Sequence, residues 1–135
     1  MHKKKLIFLL AALVAAPFAQ AESPANNADG KKYHHVVVIW LKQHGDPEAQ
    51  RKYIEGSKRL SRLPGVLSYD IGPVARIKRD KPSASVDDSF DVAVSATFDS
   101  KESLENYSKH PEHGKVIQEV LKPLVDRYKV YDFTE

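Results

Sequence analysis

The sequence contains no cysteine at all. This absence excludes disulfide bonds, lipid attachment at a cysteine and a thiolate nucleophile. Stability must therefore come from the apolar core, and further burial in an oligomer would add to it. The sequence also lacks a glycine-rich phosphate loop and a serine in a G-x-S-x-G elbow. It therefore gives no sign of the nucleotide-binding and serine-hydrolase sites that these motifs build.

Net charge is also lacking once the first 21 residues are set aside. Of the 21 Lys and Arg residues, three lie in that stretch and no acid does, which leaves 18 basic and 18 acidic residues. Nucleic acids and anionic membranes bind surfaces with a net positive charge. We therefore expect no nucleic-acid partner and, after removal of the first 21 residues, no membrane partner.

The N-terminal stretch has the pattern of an export signal. Lysines at positions 3–5 precede an apolar run of eleven residues at 6–16, which is too short to span a bilayer. The small-x-small triplet at 19–21 follows. This pattern predicts a signal peptide over residues 1–21, cleaved after Ala21, and a periplasmic or secreted protein. The polar segment 22–32 has no apolar period and predicts a flexible tether before a domain at 33–135.

Apolar periodicity and turn residues predict the element order β-α-β-β-α-α-β. Asp46, Asp99 and Pro111 mark the expected helix starts, Pro64-Gly65 ends the first helix, and Pro123 should kink or end the third. We expect strands at 33–42, 66–74, 90–98 and 128–133, and a long charged connection at 75–89. This order is that of a ferredoxin-like α+β subunit, an antiparallel sheet with helices on one side.

The first strand, YHHVVVIWLK, is apolar on both faces. The helices of the subunit can cover one face, but so small a chain has no obvious cover for the other. A bare apolar sheet face would favour aggregation. We therefore predict a homodimer that packs sheet against sheet.

Four segments carry a resemblance to a known family: HHVVVIWLK, LPGVLSYDIG, FDVAVSATFDSKESLENYSKHPEH and the closing YDF. Over about residues 34–133 the chain resembles the stress-responsive A/B barrel domain, and the Y-x-x-H-P-x-H segment at 107–113 is its most specific part. The resemblance implies a ferredoxin-like subunit, a dimeric α+β barrel and a stress-related role. It leaves the reaction open, because a fold does not fix a function.

Tyr107, His113 and His35 are the candidate catalytic residues. An imidazole titrates near neutrality and can move a proton in either direction. In family members that cyclise a linear polyketide, a Tyr, a His and a first-strand His match these three positions. The resemblance implies that His113 takes a proton from carbon while Tyr107 donates a hydrogen bond to the enolate oxygen. Val92 stands where the cyclases have a further His, and no counterpart of their first-helix Tyr is found, so a different reaction is expected.

Three functions stay open at this point. The first is a dimer that binds a small apolar or aromatic molecule between sheet and helices, with His110, Trp40 and Tyr53 as candidate ligand contacts. The second is a cofactor-independent enzyme of the cyclase, lyase or monooxygenase-like kind. The third is a purely structural dimer, in which His110 caps a helix and Trp40 belongs to a core or an interface.

No cofactor and no metal site is expected from the sequence. His34 and His35 are adjacent, so on a strand they point to opposite faces and cannot share an ion. His110, Glu112 and His113 lack a further ligand at a useful spacing.

Overall fold

The structure, a computed structural model, describes residues 30–135. The predicted signal peptide and most of the predicted tether lie outside the described residues. The regular elements are β1 (Tyr33–Leu41), α1 (Pro47–Ser57), β2 (Val66–Pro73), β3 (Val92–Phe98), α2 (Lys101–Lys109), α3 (Pro111–Val116) and β4 (Val125–Thr134). This order confirms the predicted one. No helix within the described part of the chain is long and apolar enough to cross a membrane.

Shorter helical turns extend two of the helices. A 3₁₀ turn, Lys58–Arg62, follows α1, and a π turn, Ile117–Leu121, and a 3₁₀ turn, Lys122–Leu124, follow α3. The second 3₁₀ turn contains Pro123, which confirms that the regular helix ends before this proline. The π turn is packed closely against α1, because a Cβ atom at Gly56 would lie 2.6 Å from Val120 Cγ1. Gly56 thus permits an approach that compensates for its weak helix propensity.

The four strands form one antiparallel sheet in the order β2-β3-β1-β4. The fold is therefore ferredoxin-like α+β, as predicted. β2 lies at an edge, which agrees with the Gly72-Pro73 signal. Its irregularity, however, falls between Val66 and Ser68, at the opposite end of the strand.

The core lies between the helices and one face of the sheet. Alternate residues of β3 are buried in it, as the pattern of this strand predicts. Helical side chains such as Tyr107 and Val116 complete the core. The fully or almost fully buried apolar residues of the sheet are Ile39, Leu41, Val92, Val94, Ala96 and Phe98.

The predicted start of α2 is wrong by one residue and that of the last strand by three. The cap of α2 is Ser100 rather than Asp99, because Ser100 has the extended backbone of an N-cap and its Oγ accepts from the Ser103 amide at 3.1 Å. The last strand begins at Val125 rather than Tyr128, because β1 continues to pair with it as far as Leu41. The predicted break before Pro111 is confirmed, since α2 ends at Lys109.

Asp91 does not lie in a strand, although the predicted strand 90–98 includes it. It precedes β3, and its carboxylate is buried. The carboxylate accepts from the Leu41 amide at 2.8 Å and the Gly45 amide at 2.7 Å, and it pairs with His44 Nδ1 at 3.0 Å. These contacts fix the connection between β1 and α1, because the buried Leu41 amide and the Gly45 amide share one buried acceptor.

The second face of the sheet carries His34, Val36, Val38 and Trp40 of β1, which alternate with the residues facing the helices. The indole of Trp40 donates to Ser89 Oγ at 3.0 Å, so the segment 74–91, which contains no helix or strand, reaches onto this face. The Arg127 guanidinium lies 4.4 Å over the Trp40 ring.

Candidate functional site

A cavity of about 640 Å³ lies between the sheet and the helices. This volume is in the range of small-molecule sites. Apolar side chains form much of its wall: Val37, Leu60, Val94, Ile117, Leu121, Val125 and Val130. Polar side chains reach it from every layer of the subunit: His35, Tyr53, Ser57, Tyr69, Tyr107 and His113.

The three predicted catalytic residues meet in this cavity. The Tyr107 ring lies 4.7 Å from the His113 ring and 6.1 Å from the His35 ring, centroid to centroid. His35 faces the helices because it alternates with His34 along β1. The chain breaks at Pro111 between α2 and α3, and His113 in the first turn of α3 thereby lies beside Tyr107 at the end of α2.

His113 is suited to accept a proton. Burial lowers its pKa below the usual 6.5, and the nearby His35 and His110 rings lower it further. A protonated imidazole would lose hydration here and would be repelled by neighbouring positive charge. The ring is therefore mostly neutral at pH 7, which is the form that a general base requires.

His35 is held by a carboxylate that the sequence analysis missed. Its Nδ1 lies 2.7 Å from Asp132 Oδ1. An ionised carboxylate only accepts, so Nδ1 carries the hydrogen and Nε2 of a neutral ring is left as an acceptor. The signal was available in principle, because antiparallel pairing of the first and last strands places His35 opposite Asp132.

A cluster of hydroxyl groups lies on the cavity wall. Ser57 Oγ and Tyr69 Oη are 2.6 Å apart, and the phenols of Tyr53, Tyr69 and Tyr107 lie close enough to interact electrostatically. Burial raises the pKa of Tyr53, Tyr69 and Tyr107, so all three phenols stay protonated at neutral pH. Ser57 and Tyr69 are not predicted from the sequence, because their spacing along the chain carries no recognisable motif.

Not all predicted ligand contacts reach the cavity. Tyr53 does, but Trp40 lies on the opposite face of the sheet. His110 is the N-cap of α3, where its Nδ1 accepts from the Glu112 amide at 3.1 Å. Among residues 30–135, no three His, Asp or Glu side chains come together as a metal-binding group.

Comparison with known proteins identifies the family. Residues 33–135 match the stress-responsive A/B barrel domain. The chain belongs to this family. The resemblance seen in the sequence is thus confirmed, and the match includes both β1 with His35 and the segment that carries Tyr107 and His113.

One relative of this A/B barrel domain is a longer plant protein. It is a stress-response A/B barrel domain-containing protein of Arabidopsis thaliana, 28% identical over 99 residues, which are 73% of this chain and 35% of that protein. The chain thus spans about a third of the length of this curated relative.

Two solved structures share the fold at low identity. One is a dimeric ferredoxin-like protein of unknown function from Thermobifida fusca, with 18% identity, a TM-score of 0.59, and coverage of 79% of this chain and 93% of that one. The other is a hydroxynitrile lyase from Passiflora edulis, with 19% identity, a TM-score of 0.60, and coverage of 78% and 94%.

Proposed function

We propose that this A/B barrel domain binds a small, largely apolar or aromatic carbonyl compound in its cavity and catalyses proton transfer without a cofactor. His113 is the base that accepts a proton from carbon. The observation that carries the proposal is the meeting of His35, Tyr107 and His113 on one cavity, with the pKa of His113 lowered. Perturbed titratable groups that converge in a cleft are typical of catalytic sites.

The neighbouring groups supply the other parts of such a site. His35, oriented by Asp132, presents a second ring nitrogen to the cavity. The buried phenols stay protonated, so they can donate hydrogen bonds to an enolate oxygen. The fold relative from Passiflora edulis is named as a hydroxynitrile lyase, which supports the proposal that this fold can carry an enzymatic site.

Deuterium exchange tests the proposal without knowledge of the natural substrate. Phenylacetone in deuterated water reports by proton NMR whether the protein removes a hydrogen from the carbon beside the carbonyl. We expect the wild type to accelerate this exchange and His113→Ala to slow it by about 10²- to 10⁴-fold, with the melting temperature nearly unchanged. The rate should fall as the pH drops below 6.5 and His113 becomes protonated.

His110→Ala is the matched control. It removes an imidazole from the same segment, but His110 caps α3 instead of lining the cavity. We expect a loss of about 1 kcal/mol in the free energy of unfolding and little change in exchange rate. Equal loss of exchange in both variants, or loss of folding in His113→Ala, would refute the assignment of His113 as the base.

A binding protein without catalysis is the second candidate. The observation that favours it is the largely apolar wall of the cavity, which can bind hydrocarbon without any chemical step. Binding of phenylacetone without accelerated exchange would select this candidate. A purely structural role agrees less well with a cavity of about 640 Å³.

We further propose that the domain is an exported homodimer with the second sheet face at its interface. Tyr131 and Phe133 lie on this face and are 53% and 55% exposed. Phe133 stacks on His34 at 4.5 Å, which makes one continuous aromatic surface with β1. The Thermobifida fusca relative is described as dimeric. Export rests on the pattern of residues 1–21.

Sedimentation velocity tests the dimer. Tyr131→Lys should shift the protein towards monomer, because it places a charge in an apolar interface. Tyr128→Lys is the control, since Tyr128 is on the same strand and similarly exposed but faces the cavity side. A wild type that stays monomeric at every concentration would contradict the proposal.

A further inference from the structure

The charged side chains on the cavity wall are concentrated at one end. They are those of Lys122 and Asp126, and Arg127 is a third charged residue of the lining. The Arg127 guanidinium stacks over Trp40 on the other face of the sheet. Lys122 Nζ donates to Gln118 Oε1 at 3.3 Å, and no ion pair joins it to a carboxylate of residues 30–135. Lys122 is therefore a cation at the cavity whose charge is not compensated by direct pairing.

Lys122 and His113 lie far apart along one wall. Nine residues separate them along α3 and the π turn that follows, which is about two helical turns. The turn that holds Lys122 is fixed beside the end of β1, where the Lys42 amide donates to the Leu124 carbonyl at 2.9 Å. His35, in contrast, is near the beginning of β1.

Apolar side chains occupy the wall between these ends. Ile117 and Leu121 lie there on the helical side, and Val37 and Val94 on the sheet side. A molecule that extends from His113 to Lys122 would therefore meet imidazole nitrogens, then hydrocarbon, then a cation.

We infer that the cavity selects elongated apolar molecules that carry a carboxylate at the end remote from His113, and that Lys122 is the residue that selects them. This inference rests on the proposed binding function and adds the class of ligand. The attraction is electrostatic and close to solvent, so it contributes a preference among ligands rather than most of the affinity.

A pair of matched probes tests the inference. 6-Phenylhexanoate and 6-phenylhexanamide have the same length and differ in the charge of one end. Isothermal titration calorimetry should show that wild type binds the carboxylate about three- to fivefold more tightly than the amide. Lys122→Met should abolish this preference without weakening the amide. Asp126→Asn should increase the preference, because it removes the negative charge at the same end of the cavity.

Lys115→Met is the control for a general loss of positive charge. Lys115 is an exposed lysine of α3 that does not line the cavity, so its loss should leave the preference intact. Equal binding of both probes by wild type, or a preference that survives in Lys122→Met, would overturn the inference and leave the binding function standing. Failure of both probes to bind would overturn both.

Discussion

Residues 30–135 contain two histidine–aspartate pairs with similar geometry in opposite surroundings. In the first, the Asp91 side chain is 1% exposed and that of its partner His44 is 58% exposed. In the second, His35 is 15% exposed and its partner Asp132 is 56% exposed. The Nδ1–carboxylate distances are 3.0 Å and 2.7 Å. In the first pair the aspartate is the less exposed partner, and in the second it is the histidine. We infer that this difference determines the role of each pair.

A buried carboxylate needs several hydrogen-bond donors for its two oxygen atoms. Burial alone would raise the pKa of Asp91, but hydrogen bonds from the Gly45 and Leu41 amides and from His44 outweigh it and lower the pKa. These donors belong to the connection between β1 and α1, so the pair serves the fold. The largely buried His35 ring instead has one nitrogen fixed by an exposed carboxylate and lines the cavity, which suits it for chemistry.

Replacement of Asp91 should have the largest effect on stability. Asp91→Ala leaves the buried Leu41 amide without its acceptor, which costs free energy, and it also removes the bonds to the exposed Gly45 amide and the His44 ring. We expect the free energy of unfolding to fall by about 3 kcal/mol in urea denaturation at pH 7. His44→Ala should cost only about 1 kcal/mol, because one bond to an exposed ring is lost.

The pH dependence of the same variant sharpens the comparison. The folded-state pKa of Asp91 lies below its ordinary value of 3.8. Its contribution to stability is therefore present above pH 3.8 and disappears as the pH falls through the folded-state value. The difference between wild type and Asp91→Ala should shrink over that range. A difference that does not change with pH, or a loss below about 1 kcal/mol at pH 7, would contradict this account.

The fold was largely predictable from the sequence, because its signals are local. Alternation in β3, the Asp46-Pro47 helix start and the break at Pro111 each specify an element from neighbouring residues. The errors occur where contacts between residues that are distant in the sequence determine the local structure. β4 begins three residues earlier than predicted because it pairs with the end of β1, and Asp91 is buried because it meets amides some 50 residues away in the chain.

The site was predictable only in part, for the same reason. Tyr107 and His113 belong to one short segment, and a period of two places His35 on the helix-facing side of its strand. Asp132, Tyr69 and Lys122 become parts of the site through pairing and packing across the subunit. Trp40 was assigned to the cavity from its chemistry alone, and strand alternation places it on the other face.

Replacement of Asp132 should have the smallest effect on stability and a specific effect on the cavity. Asp132 is more than half exposed, so Asp132→Ala should change the free energy of unfolding by less than about 1 kcal/mol. The hydrogen on Nδ1 of His35 should lose its acceptor, and the tautomer with hydrogen on Nε2 should become populated. Nitrogen-15 NMR of the imidazole at pH 8 distinguishes the two tautomers directly.

Asp126→Ala is the control, because it removes another aspartate from β4, and it should leave the His35 signals unchanged. Retention of the wild-type tautomer in Asp132→Ala would show that this carboxylate does not orient His35, and the contrast between the two pairs would then fail.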